Sequence, residues 1–485
     1  MQSKKDGGSE IVTHFDTKNP QCGWLHSVLS TYGASPEHQT KFTCFHFYLH
    51  NTTTLPKQGI LKYSLKVMIL IQALGSNGSG QLGIGHKEDV STPQPVLLPS
   101  SITTASPQPK LKRIAAGGNH TLLLFESGDL LWSGDHITGA CGPVATTTVN
   151  TDDSTNDSTP ELTPQFRPVD LSSLPPGSKP IHVAATWTAT ILVTTTTILS
   201  SNPTTTTHAV YTFGTSPKDN LGLGAPNPSN SSHPTSGQPT PHPTRIPNFP
   251  PANTHITSLS ASMAHTVAVL SNGEAWGWGS GRKGQLGEPV PATGAVCSPR
   301  KIEGIGFAVG GAVCGREFTC LFGRGGGAGG SGSGGGDGGG EMLVLGSDKW
   351  GVRSQAPSLS PSLGSVCGGG VAGWREVGAG WGSVFVLKEG GELVSWGRDD
   401  HGQLARGDLG RVRDVAVGSE HALALTEAGD LMVWGWGEHG NCGPIRKQDG
   451  EKGERNKIAS VREGMEITMI GAGCATSWIV SETPT

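Results

Sequence analysis

Residues 73–85 read ALGSNGSGQLGIG: a short apolar strand runs into Gly75, four residues separate it from Gly80, and Gln81-Leu82-Gly83 follows at once. The same spacing returns at Gly134/Gly139, Gly279/Gly284, Gly346/Gly351, Gly397/Gly402 and Gly435/Gly440, and at Gly214, where Asp219 replaces the second glycine. Alternating apolar residues precede each copy, the period-2 pattern of a half-buried strand. On its own such a stretch could cradle a phosphate. Set among six relatives it reads as a turn between strands.

A second element alternates with the first. It reads IAAGGNHTLLL at 114–124, HVAATWTATILV at 182–193 and LSASMAHTVAV at 259–269, and recurs at 312–322, 377–387, 415–425 and 469–480. Each copy is a strand, a loop of small residues and a second strand. Turns such as Ser127-Gly128-Asp129 and Asn272-Gly273-Glu274 then lead to the next glycine pair. The chain starts the series with a glycine-pair element and ends it with a strand-loop-strand element. Seven of each make seven whole units only if the last pairs with the first. That arrangement closes a ring and removes exposed strand edges. An open solenoid would want capping repeats instead. The reading is an all-β, seven-bladed propeller over residues 67–482, expected as a monomer.

Composition narrows the function. The net charge of −4 leaves no electrostatic footprint for nucleic acid or an anionic membrane. Nine cysteines, an odd number without a CxxC pair, argue against a zinc site or a disulfide framework. Reduced thiols fit a cytoplasmic location, with the nucleus as a second. The longest apolar run, Val67 to Ile71, is too short to span a bilayer. Residues 1–66 show no strand or helix period and receive no chemistry. They read as a small appended segment or as a disordered tail, with Met68 as an alternative start. Segments 143–180, 225–256 and 323–340 are biased to Thr/Asp/Pro, Pro/Ser/Asn and Gly/Ser, and loose loops are expected there. The glycine tract lacks the following Lys-Ser/Thr of a phosphate loop and reads as a linker.

Candidate chemistry is sparse. His120, His265 and His421 share one position in three units, where Ala189, Phe318, Gly382 and Thr476 stand elsewhere. Equivalent positions in a propeller lie around a ring, so structural hydrogen bonding is expected rather than a metal site. Trp278, Trp396 and Trp434 precede glycines and read as packing between blades. Asp399-Asp400-His401 reads as a solvated turn. No catalytic motif is present, and neither enzyme activity nor a cofactor or metal is expected. A binding surface remains. Trp187, Arg316, Glu317, Trp381 and Glu420 sit in the strand-loop-strand loops and are candidate partner contacts; the alternative is that they pack against neighbouring loops.

Blocks such as GEAWGWGSGRKGQLG (273–287) and GGNHTLLLFESGDLLWSG (117–134) resemble the repeats of the regulator of chromosome condensation family. The resemblance covers nearly everything after the N-terminal segment, and the family includes exchange factors, ubiquitin ligases and adaptors. Within it, ALGSNGSGQLGIGHKEDVSTPQPV (73–96) resembles the opening of the fungal alpha-tubulin suppressor group. That resemblance implies a small zinc-binding protein as partner, serving diphthamide synthesis and Elongator-dependent modification of the tRNA wobble uridine. His86, Glu88 and Asp89 match the group's opening motif and are candidate contacts, or surface residues of a turn. The chain departs from the pattern in units two, three and five, where Gln-Leu-Gly becomes Ala-Cys-Gly, Asn-Leu-Gly and Val-Arg. The alternatives are exchange on a Ran-like GTPase, for which a chromatin-bound factor would want a basic tail beyond Lys4-Lys5, and a generic scaffold.

Overall fold

Seven antiparallel sheets succeed one another around a central channel in a computed structural model of the chain. The structure describes residues 10–15, 25–30, 68–144, 162–198, 205–215, 217, 220–224, 238–324, 340–357, 371, 373–405, 409–444, 456–458 and 464–483. They belong to two units, Met1–Ser64 and Leu65–Thr485. In the first, Glu10–Phe15 pairs antiparallel with Leu25–Ser30, a hairpin that the sequence did not announce. Two isolated six-residue strands are too short for a periodic signal to stand out.

The second unit is the propeller. Blade 1 joins both ends of the repeat series, in the order Glu466–Ala472, Thr476–Glu482, Ile69–Gly75, Val90–Pro95. The closing ladder runs from Thr476↔Gly75 to Glu482↔Ile69, as the count of half units required. Blade 2 is Leu111–Ala116, His120–Phe125, Leu130–Gly134 and Arg167–Pro168. Blade 3 is Lys179–Ala185, Ala189–Ile198, Thr205–Thr215 and Pro239–Arg245. Blade 4 is Ile256–Ala261, His265–Leu270, Ala275–Ser280 and Ala295–Lys301. Blades 5 and 6 show three strands each among the described residues: Val309–Cys314, Phe318–Gly323, Met342–Gly346, then Trp374–Ala379, Ser383–Lys388, Leu393–Gly397. Blade 7 is Val412–Val417, His421–Thr426, Leu431–Gly435 and Asn456–Ile458.

Packing explains why the ring holds. There is no single core. Seven apolar clusters occupy the seven seams, each built from two neighbouring blades. At the closing seams, Trp478 and Val480 pack with Leu123 and Phe125 of blade 2, and Leu74 and Ile479 with Leu423 and Leu425 of blade 7. Each fully buried side chain of this size stabilises by roughly 1.5–3 kcal/mol. The tryptophans ahead of the glycines are seam residues, as expected. Trp396 and Trp434 donate from their indoles to Val352 O (2.8 Å) and Gln403 O (2.9 Å) of the preceding blade. Trp278 packs on Phe249.

The first glycine of each pair has a steric cause. At Gly134, φ is +117°, and a Cβ would stand 2.3 Å from Asn119 O. That carbonyl accepts the N–H of Asp135 at 2.8 Å, and the same bond recurs in every blade, through Ser76, Thr215, Ser280, Ser347, Arg398 and Trp436. The glycine thus lets the third strand's end tie back onto the loop beside it.

The histidines form bonds across seams. The Nε2 atoms of His120, His265 and His421 meet Thr190 Oγ1 (3.3 Å), Thr319 Oγ1 (3.1 Å) and Ser477 Oγ (2.9 Å) of the next blade. Register corrects one equivalence: opposite the glycine, blade 6 places Ser383 and not Gly382.

Two of the insertions also differ from expectation. Residues 162–180 and 238–256 are packed, with Phe166, Val169, Ile246 and Phe249 buried and Pro239–Arg245 pairing as the outer strand of blade 3. An outer strand needs only one edge and a few apolar residues, which the polar average of these segments conceals. Residues 143–144, 323–324 and 340 apart, the remainder of segments 143–161 and 323–340 and residues 225–237 lie outside the described residues.

Every innermost strand carries a bulge at the same place: Lys112, Ile181, Thr257, Gly310, Arg375, Arg413 and Thr468 have no partner in the adjacent ladder. The residues that follow, Arg113, His182, Ser258, Gly311, Glu376, Asp414 and Met469, therefore share one level of the ring.

Candidate protein-interaction face

Antiparallel alternation puts the loop after each innermost strand and the loop after each third strand at the same end of the propeller. All eight candidate residues lie in these loops, so they share one face. The loops after the innermost strands are tied in a partial circle. Gly118 N–H donates to Trp187 O (3.0 Å) and Trp187 N–H to Met263 O (3.1 Å). Arg316 N–H donates to Trp381 O (3.2 Å), Trp381 N–H to Ser419 O (2.7 Å) and Ser419 N–H to Gly473 O (3.0 Å).

Three candidates are brought together at the channel mouth. Trp187 of blade 3 and Trp381 of blade 6 meet with ring centroids 5.9 Å apart. The Arg316 guanidinium lies 5.3 Å from the Trp381 ring centroid. Both indoles are half-buried and Arg316 is exposed. Packing against neighbouring loops and presentation on the face thus hold at once. Glu317 pairs with Arg282 of blade 4 at 3.2 Å, both in part exposed; such pairs are worth about 0–1 kcal/mol.

Glu420 is a correction. It is buried, not displayed. Its carboxylate accepts hydrogen bonds from Arg398 Nη1 and from Gln403 Nε2 (3.0 Å), and burial pushes its pKa upward. It serves to hold Arg398, which also forms a forked pair with Asp400 at 2.7 and 2.9 Å. That contact holds the Asp400 carboxyl down at about 2. Asp399-Asp400-His401 is a turn, as read, but a bonded one rather than a solvated one.

Arg398 is the hub of a cluster that the sequence did not single out. Its guanidinium carbon is 4.5 Å from the Trp350 ring centroid and 5.9 Å from that of Trp436. Lys349 Nζ stands 4.8 Å from the Trp350 centroid, and His401 stacks on Trp436 at 4.1 Å. Gly382 makes room, since a Cβ there would stand 2.7 Å from Trp350 Cδ1. Trp436 is 38% exposed, among the most exposed large apolar side chains described. The available signal was tryptophan inside the glycine-pair loops, where the other units carry small or charged residues.

His86, Glu88 and Asp89 do not join this cluster. Asn77 organises their loop: its Nδ2 donates to His86 O (2.6 Å) and Glu88 O (3.2 Å), and its backbone N–H donates to Asp89 Oδ1 (2.7 Å). Asp89 Oδ2 also meets His439 Nδ1 of blade 7 at 2.9 Å. The three side chains are exposed, in keeping with the turn alternative. No group of three or more His, Cys, Asp or Glu is placed to hold a metal among the described residues.

Comparison with known proteins agrees with this architecture. Family models of the Regulator of chromosome condensation (RCC1) repeat match residues 73–124 and 272–322, and a second such model matches 256–285 and 412–441. An RCC1 repeat-containing protein of Schizosaccharomyces pombe is 27% identical over 69% of this chain and 78% of its own. The mouse Secretion-regulating guanine nucleotide exchange factor is 23% identical over 73% of this chain and 64% of its own, and the Ultraviolet-B receptor UVR8 of Arabidopsis thaliana is 29% identical over 48% and 42%. The chain thus spans less than two thirds of the last two. Among solved structures, Prp20p of Saccharomyces cerevisiae, described with its binding to Gsp1p and histones, superposes with a TM-score of 0.63 at 20% identity, covering 87% of this chain and 93% of that one. Yeast RCC1 (Prp20) bound to Kap60 gives a TM-score of 0.62 at 19% identity, covering 90% and 97%. By repeat sequence and by fold, the chain is an RCC1-like seven-bladed propeller.

Proposed function

We propose that this chain is a non-enzymatic adaptor that holds a protein partner on its loop face. The observation that carries this reading is the concentration of tryptophan and arginine there: Trp187, Trp381 and Arg316 at the channel mouth, and Trp350, Arg398 and Trp436 beside them. Tryptophan and arginine dominate interface hot spots, and a rigid ring beneath them keeps the ordering cost of binding low. The partner proposed is a small zinc-binding protein acting in Elongator-dependent wobble-uridine modification and in diphthamide synthesis, met in the cytoplasm and secondarily in the nucleus. The support for that finer reading is the resemblance carried by residues 73–96, whose exposed loop His86–Asp89 lies on the same face.

The test is affinity purification of the tagged full chain from fungal lysate, with Trp436→Ala in parallel, followed by mass spectrometry. The small zinc protein is expected with the wild type, and its recovery is expected to fall about tenfold or more with the variant. Enrichment of a GTPase in its place overturns the partner assignment. A second reading, exchange on a Ran-like GTPase, is favoured by the alignment with the mouse exchange factor over 73% of this chain. Accelerated nucleotide release from such a GTPase on adding the chain would put that reading first.

A further inference from the structure

Below the tryptophans, the channel encloses about 760 Å³, within the range of about 300–1,000 Å³ usual for small-ligand sites. Its walls carry opposite charge at one level. Arg113 leaves blade 2 one residue past the bulge, and its Nη2 reaches Leu259 O of blade 4 at 3.2 Å. The guanidinium therefore lies over blade 3, beside His182, which its charge and that of Lys112 help to keep neutral. Arg113 is surrounded by protein yet faces the hollow, and no carboxylate forms an ion pair with it among the described residues. A buried guanidinium without a counter-ion is an energetic anomaly, since one carbonyl satisfies a fraction of its five donors.

The opposite wall has the complementary anomaly. Blades 6 and 7 face blade 3 across the ring. There Glu376 and Asp414, at equivalent positions of adjacent strands, hydrogen-bond to each other. Burial and the Asp414 charge make Glu376 hold its proton up to about 8; Arg375 and the Val415 N–H oppose this, and Arg113 contributes nothing. The two walls thus stand too far apart to neutralise each other, with the open channel between them.

We propose that this channel binds a small molecule bearing an anionic group and a protonated amine, the anion held by Arg113 and the amine by Glu376 with Asp414. Ser258, at the same level of blade 4, lines the channel near the anion pole. The Trp187–Trp381 pair stands four to five residues higher, about 13–17 Å along an extended strand, and narrows that mouth. The ligand is therefore expected to enter from the other end, past Lys112, Thr257 and Thr468. The site is independent of the loop face and of any partner held there.

Titration calorimetry of the full chain tests this with 6-aminohexanoate, hexanoate and hexylamine. The zwitterion is expected to bind at least about tenfold tighter than either half-molecule. Arg113→Gln should remove its advantage over hexylamine, and Glu376→Gln its advantage over hexanoate, while Arg113→Lys keeps part of the anion contact. The wild type supplies a measurement that no folding defect can obscure. At pH 7 amine binding should expel the Glu376 proton, so the heat should vary with the buffer's ionisation enthalpy by up to one proton. Absence of 6-aminohexanoate binding to the wild type at about 10 mM, or binding without proton release and equal in both glutamine variants, overturns the proposal.

Discussion

Buried titratable side chains set the pH response, and they oppose one another. Burial lowers His120, His265 and His421 to about 4, against an ordinary value of 6.5. Between those values the unfolded chain binds more protons than the folded one. The seam bonds of the three histidines are therefore fully effective above pH 6.5 and are lost as the pH falls toward 4, each by about 1.4 kcal/mol per pH unit. Glu376 has the reverse sign. Its carboxyl titrates at about 8 when folded against 4.5 otherwise, so its stabilisation is full below 4.5 and is lost as the pH rises to 8. Three protons outweigh one on the acid side. Stability is expected to peak near pH 6.5, and calorimetric melting across pH 4–9 checks this. Glu376→Gln should flatten the alkaline limb, leaving the variant about 1 kcal/mol more stable than wild type at pH 9. An alkaline limb unchanged by that substitution would exclude Glu376 as its source. The histidine role was legible because position recurs in the sequence. The Glu376–Asp414 pair was not, since residues 38 apart become neighbours only through the register of two bulged strands.

Within each blade the element that matters most is the junction between third strand and loop. Gly134 carries φ +117° with a carbonyl 2.3 Å from any added Cβ, whereas Gly464, at φ +83°, has nothing within 4 Å. Both conformations disfavour a side chain, but the first also breaks the Asp135 N–H bond to Asn119 O. Gly134→Ala is expected to cost about 3 kcal/mol or more and Gly464→Ala about 1 kcal/mol, read from urea unfolding; equal losses would show that strain in φ, rather than the clash, decides. This element was legible in full, since seven copies of one steric requirement leave seven glycines. The outer strands were not. They pair along a single edge, so Arg167–Pro168 and Pro239–Arg245 carry no alternation of their own. The interaction face was legible in part. Trp187, Trp381 and Arg316 are conspicuous in small-residue loops, but the burial of Glu420 depends on Arg398 of the neighbouring blade.

At the scale of the molecule, closure is the main structural decision, and the sequence states it through two unmatched half units. Thr476–Glu482 lies between Glu466–Ala472 and Ile69–Gly75, so one strand joins the two ends of the series. Its alternate side chains serve different seams: Trp478 and Val480 face blade 2, and Ile479 faces blade 7. Removing residues 476–485 would leave Ile71, Leu74, Leu123 and Leu423 without cover and strip the ladder from both flanking strands. Such a truncation is expected to lose its near-ultraviolet circular dichroism and its cooperative melt. Deleting residues 1–67 removes nothing from this ladder, because the ring's strands run from Ile69 to Glu482 and Met68 N–H reaches only Thr483 Oγ1. That truncation should melt within about 2 °C of the full chain, a shift of less than about 1 kcal/mol. The pair of measurements separates two architectures. A closed ring is sensitive to its C-terminal strand and indifferent to residues 1–67. An open array of stacked sheets would lose one terminal blade and keep a cooperative transition, and that result for the 476–485 deletion would refute closure as the source of stability.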